Sequence, residues 1–123
     1  MAQELIFKTA DLTSQGTNSY NTVQLPEFGC YSLIRVTYKD TSGAGSTFQL
    51  RLGESSSFTL SSADEFYTST AAIGEATQVN DMMNFPVPFM TDANGRVYLH
   101  VAYNSGADNA GTYVLWFRRE VLR

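Results

Sequence analysis

The sequence is poor in charge, and that alone removes several classes of protein. Only 16% of its 123 residues are Asp, Glu, Lys or Arg, against about 25% in ordinary globular domains. The formal net charge is −4, so binding to a phosphate backbone is not expected and nucleic acid is no partner. Lys and Arg are missing altogether from Leu52 to Gly95, a stretch that holds Glu54, Asp64, Glu65, Glu75, Asp81 and Asp92. There is one cysteine, Cys30, which excludes an internal disulfide and reads as a small buried hydrophobe. With one His as well, a transition-metal site has too few ligands, and no cofactor is expected. No run of about 18 apolar residues exists, so a membrane-spanning helix and a membrane partner are not expected. Met1 to Phe7 has no basic region followed by an apolar stretch, so it does not read as a secretory signal. A reducing cytoplasm is the expected place of synthesis. No Gly-x-Ser-x-Gly elbow occurs, and Gly43-Ala44-Gly45 lacks the Gly, Lys and Ser/Thr of a phosphate loop. Repeats and linkers are also absent, which leaves residues 1–123 as one domain, large enough to bury roughly two-thirds of its unfolded surface.

What the chain does have is β-forming material. Apolar residues make up 43% and aromatics 13%, and there are 12 Ser and 13 Thr. Short alternating segments are separated by turn residues. Glu4 to Thr9 reads as a short strand, followed by a polar stretch from Asp11 to Ser19. Tyr20 to Leu25 is a second strand, stopped by Pro26. Cys30 to Lys39 is a long one, with Ser32, Ile34, Val36 and Tyr38 on one face and Tyr31, Leu33, Arg35, Thr37 and Lys39 on the other. Asp40 to Gly45 is a turn. Thr47 to Leu52 alternates cleanly, with Phe48, Leu50 and Leu52 inward. From Gly53 to Gln78 two readings stay open. Ser62-Ala63-Asp64-Glu65 fits a helix capping box. Phe66 to Thr70 are poor helix formers, which favours a loop with a strand near Glu65 to Ala72.

The last third carries the strongest signal. Asn94-Gly95 between two apolar runs predicts a two-residue hairpin. In that register Pro86 and Pro88 point their missing amides away from the partner, which marks an edge strand. Pro88, Met90, Val97, Leu99, Val101 and Tyr103 then share a core face. Phe85, Val87, Phe89, Tyr98, His100 and Ala102 share the opposite one, which is not polar. Thr112 to Phe117 is apolar on both faces. So small a chain has little material for a third layer, so these second faces predict an interface with other subunits. Phe85, Val87, Phe89, Tyr98, His100 and Trp116 are its candidate residues. Arg118 and Arg119 join them, as a basic end that could meet the acidic middle of a neighbouring copy. The expected fold is all-β: a two-sheet antiparallel sandwich of about eight strands, jelly-roll-like.

Chemical sites compete poorly with structural explanations. His100 is the one available general base, with no nucleophile motif beside it, so no enzyme activity is expected. Asp92 to Gly95 and Asn104 to Asn109 offer oxygen ligands for calcium, but they are equally the residues that turns prefer, and a distal Glu is missing. Trp116 and Tyr98, with Tyr31 and Tyr67, could stack on sugar rings, which keeps a glycan-binding module of a tail fibre or receptor-binding protein as the alternative function.

The strands Tyr20 to Leu25 and Cys30 to Lys39, with the ending Asn84-Phe85-Pro86-Val87-Pro88-Phe89 through Trp116-Phe117-Arg118-Arg119, resemble the small jelly-roll structural proteins of tailed bacteriophage virions. Head decoration or cement proteins are the group they look most like. The resemblance implies a non-enzymatic homo-oligomer, with a trimer favoured, that binds the major capsid protein on the virion and stabilises the head.

Overall fold

The computed structural model describes residues 5–41, 47–58, 63–70, 73, 78–106 and 108–120. They form eight strands: β1 (Leu5–Gln15), β2 (Asn18–Gln24), β3 (Cys30–Asp40), β4 (Phe48–Gly53), β5 (Glu65–Thr68), β6 (Gln78–Met90), β7 (Arg96–Tyr103) and β8 (Asn109–Arg119). Two antiparallel four-stranded sheets result, in the orders β1-β8-β3-β6 and β2-β7-β4-β5. Four of the pairs are nested about the β4–β5 connection: β1 with β8, β2 with β7, β3 with β6, β4 with β5. The chain is thus one long hairpin rolled up, and β3–β8 and β4–β7 pairing closes each sheet. This is the two-Greek-key jelly roll that the sequence predicts.

The core lies between the sheets. Leu33, Val36 and Tyr38 of β3, Leu50 and Leu52 of β4, Val97, Leu99 and Val101 of β7, and Leu115 and Phe117 of β8 are fully buried. Each contributes about 1.5–3 kcal/mol through the apolar surface it removes from water. The alternation predicted for Phe48, Leu50 and Leu52 holds, as does the inward face of Val97, Leu99, Val101 and Tyr103.

The Asn94-Gly95 turn is present, but it does not join two strands of one sheet. Asp92 N–H donates to the Arg96 carbonyl (2.9 Å) and Gly95 N–H to the Asp92 carbonyl (3.0 Å), closing a loop over residues 93–95. Gly95 has φ +77°, where a Cβ would also crowd Phe28 N at 3.2 Å. The turn carries the chain from β6 in one sheet to β7 in the other. Met90 therefore pairs with Cys30 and Pro88 with Ser32, not with Leu99 and Val101. The edge position of β6 holds all the same. Met90 N–H points outward, to Glu54 Oε2 at 2.6 Å. Alternation places Pro88 outward too, where no amide is needed.

A bulge breaks the face assignments in β3 and sets Phe85 of β6 outward. Leu33 pairs with Val87 and Arg35 with Met82, so two steps along β3 match five along β6. The phase flips across it. Tyr31 and Leu33 point inward before the bulge, and Val36 and Tyr38 after it. Phe89 lies inward at 4% exposure, whereas Phe85, within the bulge, is 83% exposed. Phe89 stacks on Phe66 (4.2 Å between ring centroids) and meets Phe117 edge-on, so it is core and not surface. Pro88 and Met90 are exposed instead of buried. β1 also runs further than predicted, through the polar stretch to Gln15, with a register break after Leu12 and a positive φ at Ser14.

Where a helix was open, Glu65–Thr68 is a strand. Ser62 of the capping box, the turn residues Ser42 to Gly45, Glu75, Arg123 and the first four residues lie outside the described residues.

Candidate interaction surface

The outer face of the β1-β8-β3-β6 sheet carries a row that crosses all four strands, with apolar side chains on β1, β8 and β6 and an arginine on β3. Phe7 pairs with Trp116, Trp116 with Arg35, and Arg35 with Met82. Their side chains alternate with core residues on each strand, so all four face outward. Phe7 is 57% and Met82 62% exposed. The Phe7 ring meets Trp116 edge-on, with centroids 5.8 Å apart at 80°. The Arg35 guanidinium lies 4.7 Å over the Trp116 ring. It is aimed there by Asn80, whose Oδ1 accepts from Nε (3.1 Å) and Nη2 (2.9 Å). A cation over an indole face is favourable, and fixing it also stiffens the row.

Leu5, exposed, and Val114, half-buried, flank Phe7 and Trp116. Beyond Leu5 the face turns polar. Arg118 pairs with Glu120 (2.9 Å), which also accepts from Ser32 Oγ at 2.7 Å. The Ser32 hydroxyl and then Arg118 hold the Glu120 carboxyl below the usual range. At the other end stand Asp11, Thr112, Lys39 and Gln78, paired in one row. The apolar patch is therefore bounded by charge and hydroxyls on both sides.

The outer face of the β2-β7-β4-β5 sheet is organised differently. Tyr98 and His100 were expected to wait there for another subunit, but the chain covers them itself. Phe58, in the segment after β4, packs edge-on against Tyr20 (5.5 Å) and His100 (6.0 Å). Tyr20 stacks on the imidazole at 4.5 Å and donates its hydroxyl to the Phe58 carbonyl at 2.8 Å. Gly53 leaves the room: a Cβ there would lie 2.3 Å from the Phe58 ring. His100 is only 5% exposed. Arg51 Nη1 lies 3.2 Å from Nδ1, and since Arg can only donate, Nδ1 accepts. The proton then sits on Nε2, which donates to Asn18 Oδ1 at 3.1 Å. Burial first, and the Arg51 charge second, push the imidazole pKa down. His100 is thus a neutral packing residue with both nitrogens engaged.

The eight residues singled out from the sequence are accordingly dispersed. Trp116 and Arg118 lie on the outer face of the β1-β8-β3-β6 sheet, and Phe85 is exposed within the bulge of β6. Val87 is half-buried against the core, and Phe89 is in it. Tyr98 is buried, its hydroxyl donating to Asp92 Oδ2. Arg119 pairs with Glu27 at 3.0 Å and lies over Tyr31. Leu5, Phe7, Arg35 and Met82 were missed. Leu5 and Phe7 alternate outward in the first segment, and that signal was readable. Their union with Trp116 and Met82 depends on β1–β8 and β3–β6 pairing, which joins distant parts of the chain.

The sugar-stacking candidates fare no better: Tyr31, Tyr67 and Tyr98 are buried, and one face of Trp116 is occupied by Arg35. Of the oxygens proposed for calcium, those of Asp92 and Asn104 are engaged within the fold: Asp92 Oδ1 accepts from Asn94 N–H (2.9 Å) and Arg96 N–H (3.0 Å), and Asn104 Oδ1 from Thr47 N–H (2.9 Å). Asn109 Nδ2 donates to the Gln15 and Ser105 carbonyls, while its buried Oδ1 has no hydrogen-bond partner among the described residues. Among the described residues no cluster of three His, Cys, Asp or Glu could hold a metal.

No family model matches the chain, and no curated protein does. Among solved structures, a chain of the "Cyanophage Pam1 capsid asymmetric unit" is similar to it, with 14% identity over 96% of this chain and 86% of that one, at a TM-score of 0.44.

Proposed function

We propose that this chain is a non-enzymatic structural protein that works by association: a head decoration or cement protein of a tailed bacteriophage, bound to copies of itself and to the major capsid protein in the virion. The observation that carries the reading is the exposed row Phe7–Trp116–Arg35–Met82. A small domain with a complete core has no folding reason to set large apolar side chains side by side on a flat outer face. Such patches serve association. The resemblance of its strands to those of phage decoration proteins supports the virion. The engaged ring of His100, the one imidazole available, supports a non-enzymatic role.

The test mixes the purified protein with undecorated heads of the phage that carries its gene and follows co-sedimentation. The protein is expected in the pellet with the heads. The double variant Phe7→Lys, Met82→Lys is expected to bind at least tenfold more weakly, about 1.4 kcal/mol, with an unchanged circular dichroism spectrum. Protein that stays in the supernatant and sediments as a monomer at high micromolar concentration overturns the reading.

A further inference from the structure

We infer that β1 is the pairing edge of this domain and that a second copy's β1 adds to it antiparallel, across a two-fold axis at Phe7. The inference rests on the proposed associating role but not on the virion.

The four sheet edges are protected unequally. β6 is closed by Pro86 and Pro88, by the bulge, and by Glu54 on the Met90 amide. β5 has only four residues, and short edges seldom pair. β2, Asn18 to Gln24, is polar except for Val23, which is in the core, and Tyr20, which packs on Phe58 and His100, and it is tied at its end by Gln24, whose Nε2 donates to the Asn94 carbonyl at 2.9 Å. β1 is eleven residues long and presents Leu5 and Phe7 outward, both more than half exposed. Its one distortion lies at the far end, between Leu12 and Gln15. A long edge of this kind pairs with another chain unless something blocks it.

The direction of the free amides fixes which registers are allowed. Thr9 Oγ1 donates to the Tyr113 carbonyl and Thr37 Oγ1 to that of Val114. The Tyr113 carbonyl therefore faces β1 and that of Val114 faces β3. Tyr113 pairs with Ala10, and Val114 with Thr9. Alternation then turns the backbone groups of Leu5, Phe7, Thr9 and Asp11 away from β8, toward a new strand. A two-fold axis must match these residues with one another. Centring on Lys8 sets two ammonium groups opposite, and centring on Asp11 two carboxylates, both unfavourable. Centring on Thr9 puts Phe7 against Asp11. Centring on Phe7 puts Phe7 against Phe7, Leu5 against Thr9 and Ile6 against Lys8, and it keeps the lysines apart. Centring on Ile6 pairs Leu5 with Phe7, and it is the register that Ile6→Cys would trap. In the Phe7 register the row runs through both copies, from Met82 of one to Met82 of the other, with the two Phe7 side chains at its centre. Such a contact is isologous and gives a dimer, not the trimer implied by the resemblance.

Disulfide trapping tests it in a Cys30→Ser background. A hydrogen-bonded pair holds its Cα atoms about 5.5 Å apart, within disulfide reach. Phe7→Cys is expected to give a covalent dimer under mild oxidation. In the same register two Thr9 positions stand about 14 Å apart, so Thr9→Cys is expected to cross-link roughly tenfold more slowly or less. Thr9→Pro, which removes an outward amide, is expected to abolish dimers in sedimentation without loss of the folded spectrum. Equal cross-linking at positions 7 and 9, preferential linkage by Ile6→Cys, or a monomeric Phe7→Cys overturns the inference. Capsid binding without a position-7 cross-link removes only the pairing. A cross-link without capsid binding removes only the virion reading.

Discussion

At Asp92 one carboxylate closes three bonds: Oδ1 accepts from the amides of Asn94 and Arg96, and Oδ2 from the Tyr98 hydroxyl. The Tyr98 hydroxyl first, then the two amides and the Arg96 charge, hold its pKa below the ordinary carboxylate value. A carboxyl depressed in the folded state binds fewer protons there than in the unfolded chain. Its contribution is fully present above about pH 4, the unfolded value, and is lost as pH falls through the lower folded one. Asp92→Asn is expected to cost about 1 kcal/mol at pH 7 and to flatten the acid limb of stability below pH 4. Denaturant melts at pH 7 and pH 3 for both proteins measure it; an Asn variant as acid-sensitive as the parent would show that Asp92 does not carry that limb. The sequence marked this loop correctly as a turn, because Asp, Asn and Gly have local reasons to be there. It could not show that Tyr98 is held by the same carboxylate. The residue was therefore read as an interface aromatic, whereas its hydroxyl is held within the chain by Asp92.

Strands were legible where alternation runs unbroken and illegible where it does not. β4 and β7 kept their predicted inward faces. In β3 the bulge at Ile34 inverts every face assignment that crosses it, while β6 keeps its alternation, with Val79 and Phe89 both inward, and only Phe85 is thrown outward. Nothing in the run Met82 to Met90 announces the break except its two prolines, and those were read as marks of an edge, which they also are. β7 posed the other difficulty. Its outer face carries Tyr98 and His100; Phe58, which follows β4, covers His100, and Asp92 holds the Tyr98 hydroxyl. Local pattern detects that such a face must be covered, but not by what. The bulge gives a sharp expectation for two phenylalanines four residues apart. Phe89→Asp places a charge among Tyr31, Phe66 and Phe117 and is expected to abolish folding. Phe85→Asp is expected to stay folded, within about 0.5 kcal/mol of the parent, as exposed sites do. Thermal melts followed by near-ultraviolet dichroism compare them; comparable losses in both would mean that the two side chains share an environment.

For the molecule as a whole, the nested pairing brings Leu5 beside Arg118 and places β1 and β8 side by side on one face. The first and last strands thus build most of the apolar row, with β3 and β6 completing it. Under the proposed role the low charge of the chain and this face belong together: a surface with few charges suits a face that association would cover. A protein that binds an assembled shell and not its dissociated subunits stabilises the shell by mass action, by about 2.7 kcal/mol per site at a hundredfold excess over Kd. The melting temperature of decorated heads is therefore expected to climb with the logarithm of free protein once the sites fill. A fixed increment reached at stoichiometry would instead indicate a kinetic clamp. The Phe7→Lys, Met82→Lys variant should shift the whole curve to higher concentration without changing its slope, because it weakens the contact and leaves the number of sites alone. Scanning calorimetry of heads at graded protein concentrations reads both slope and shift. A variant curve superimposed on the parent would place the capsid contact away from this row, and a flat curve for both would end the stabilising role.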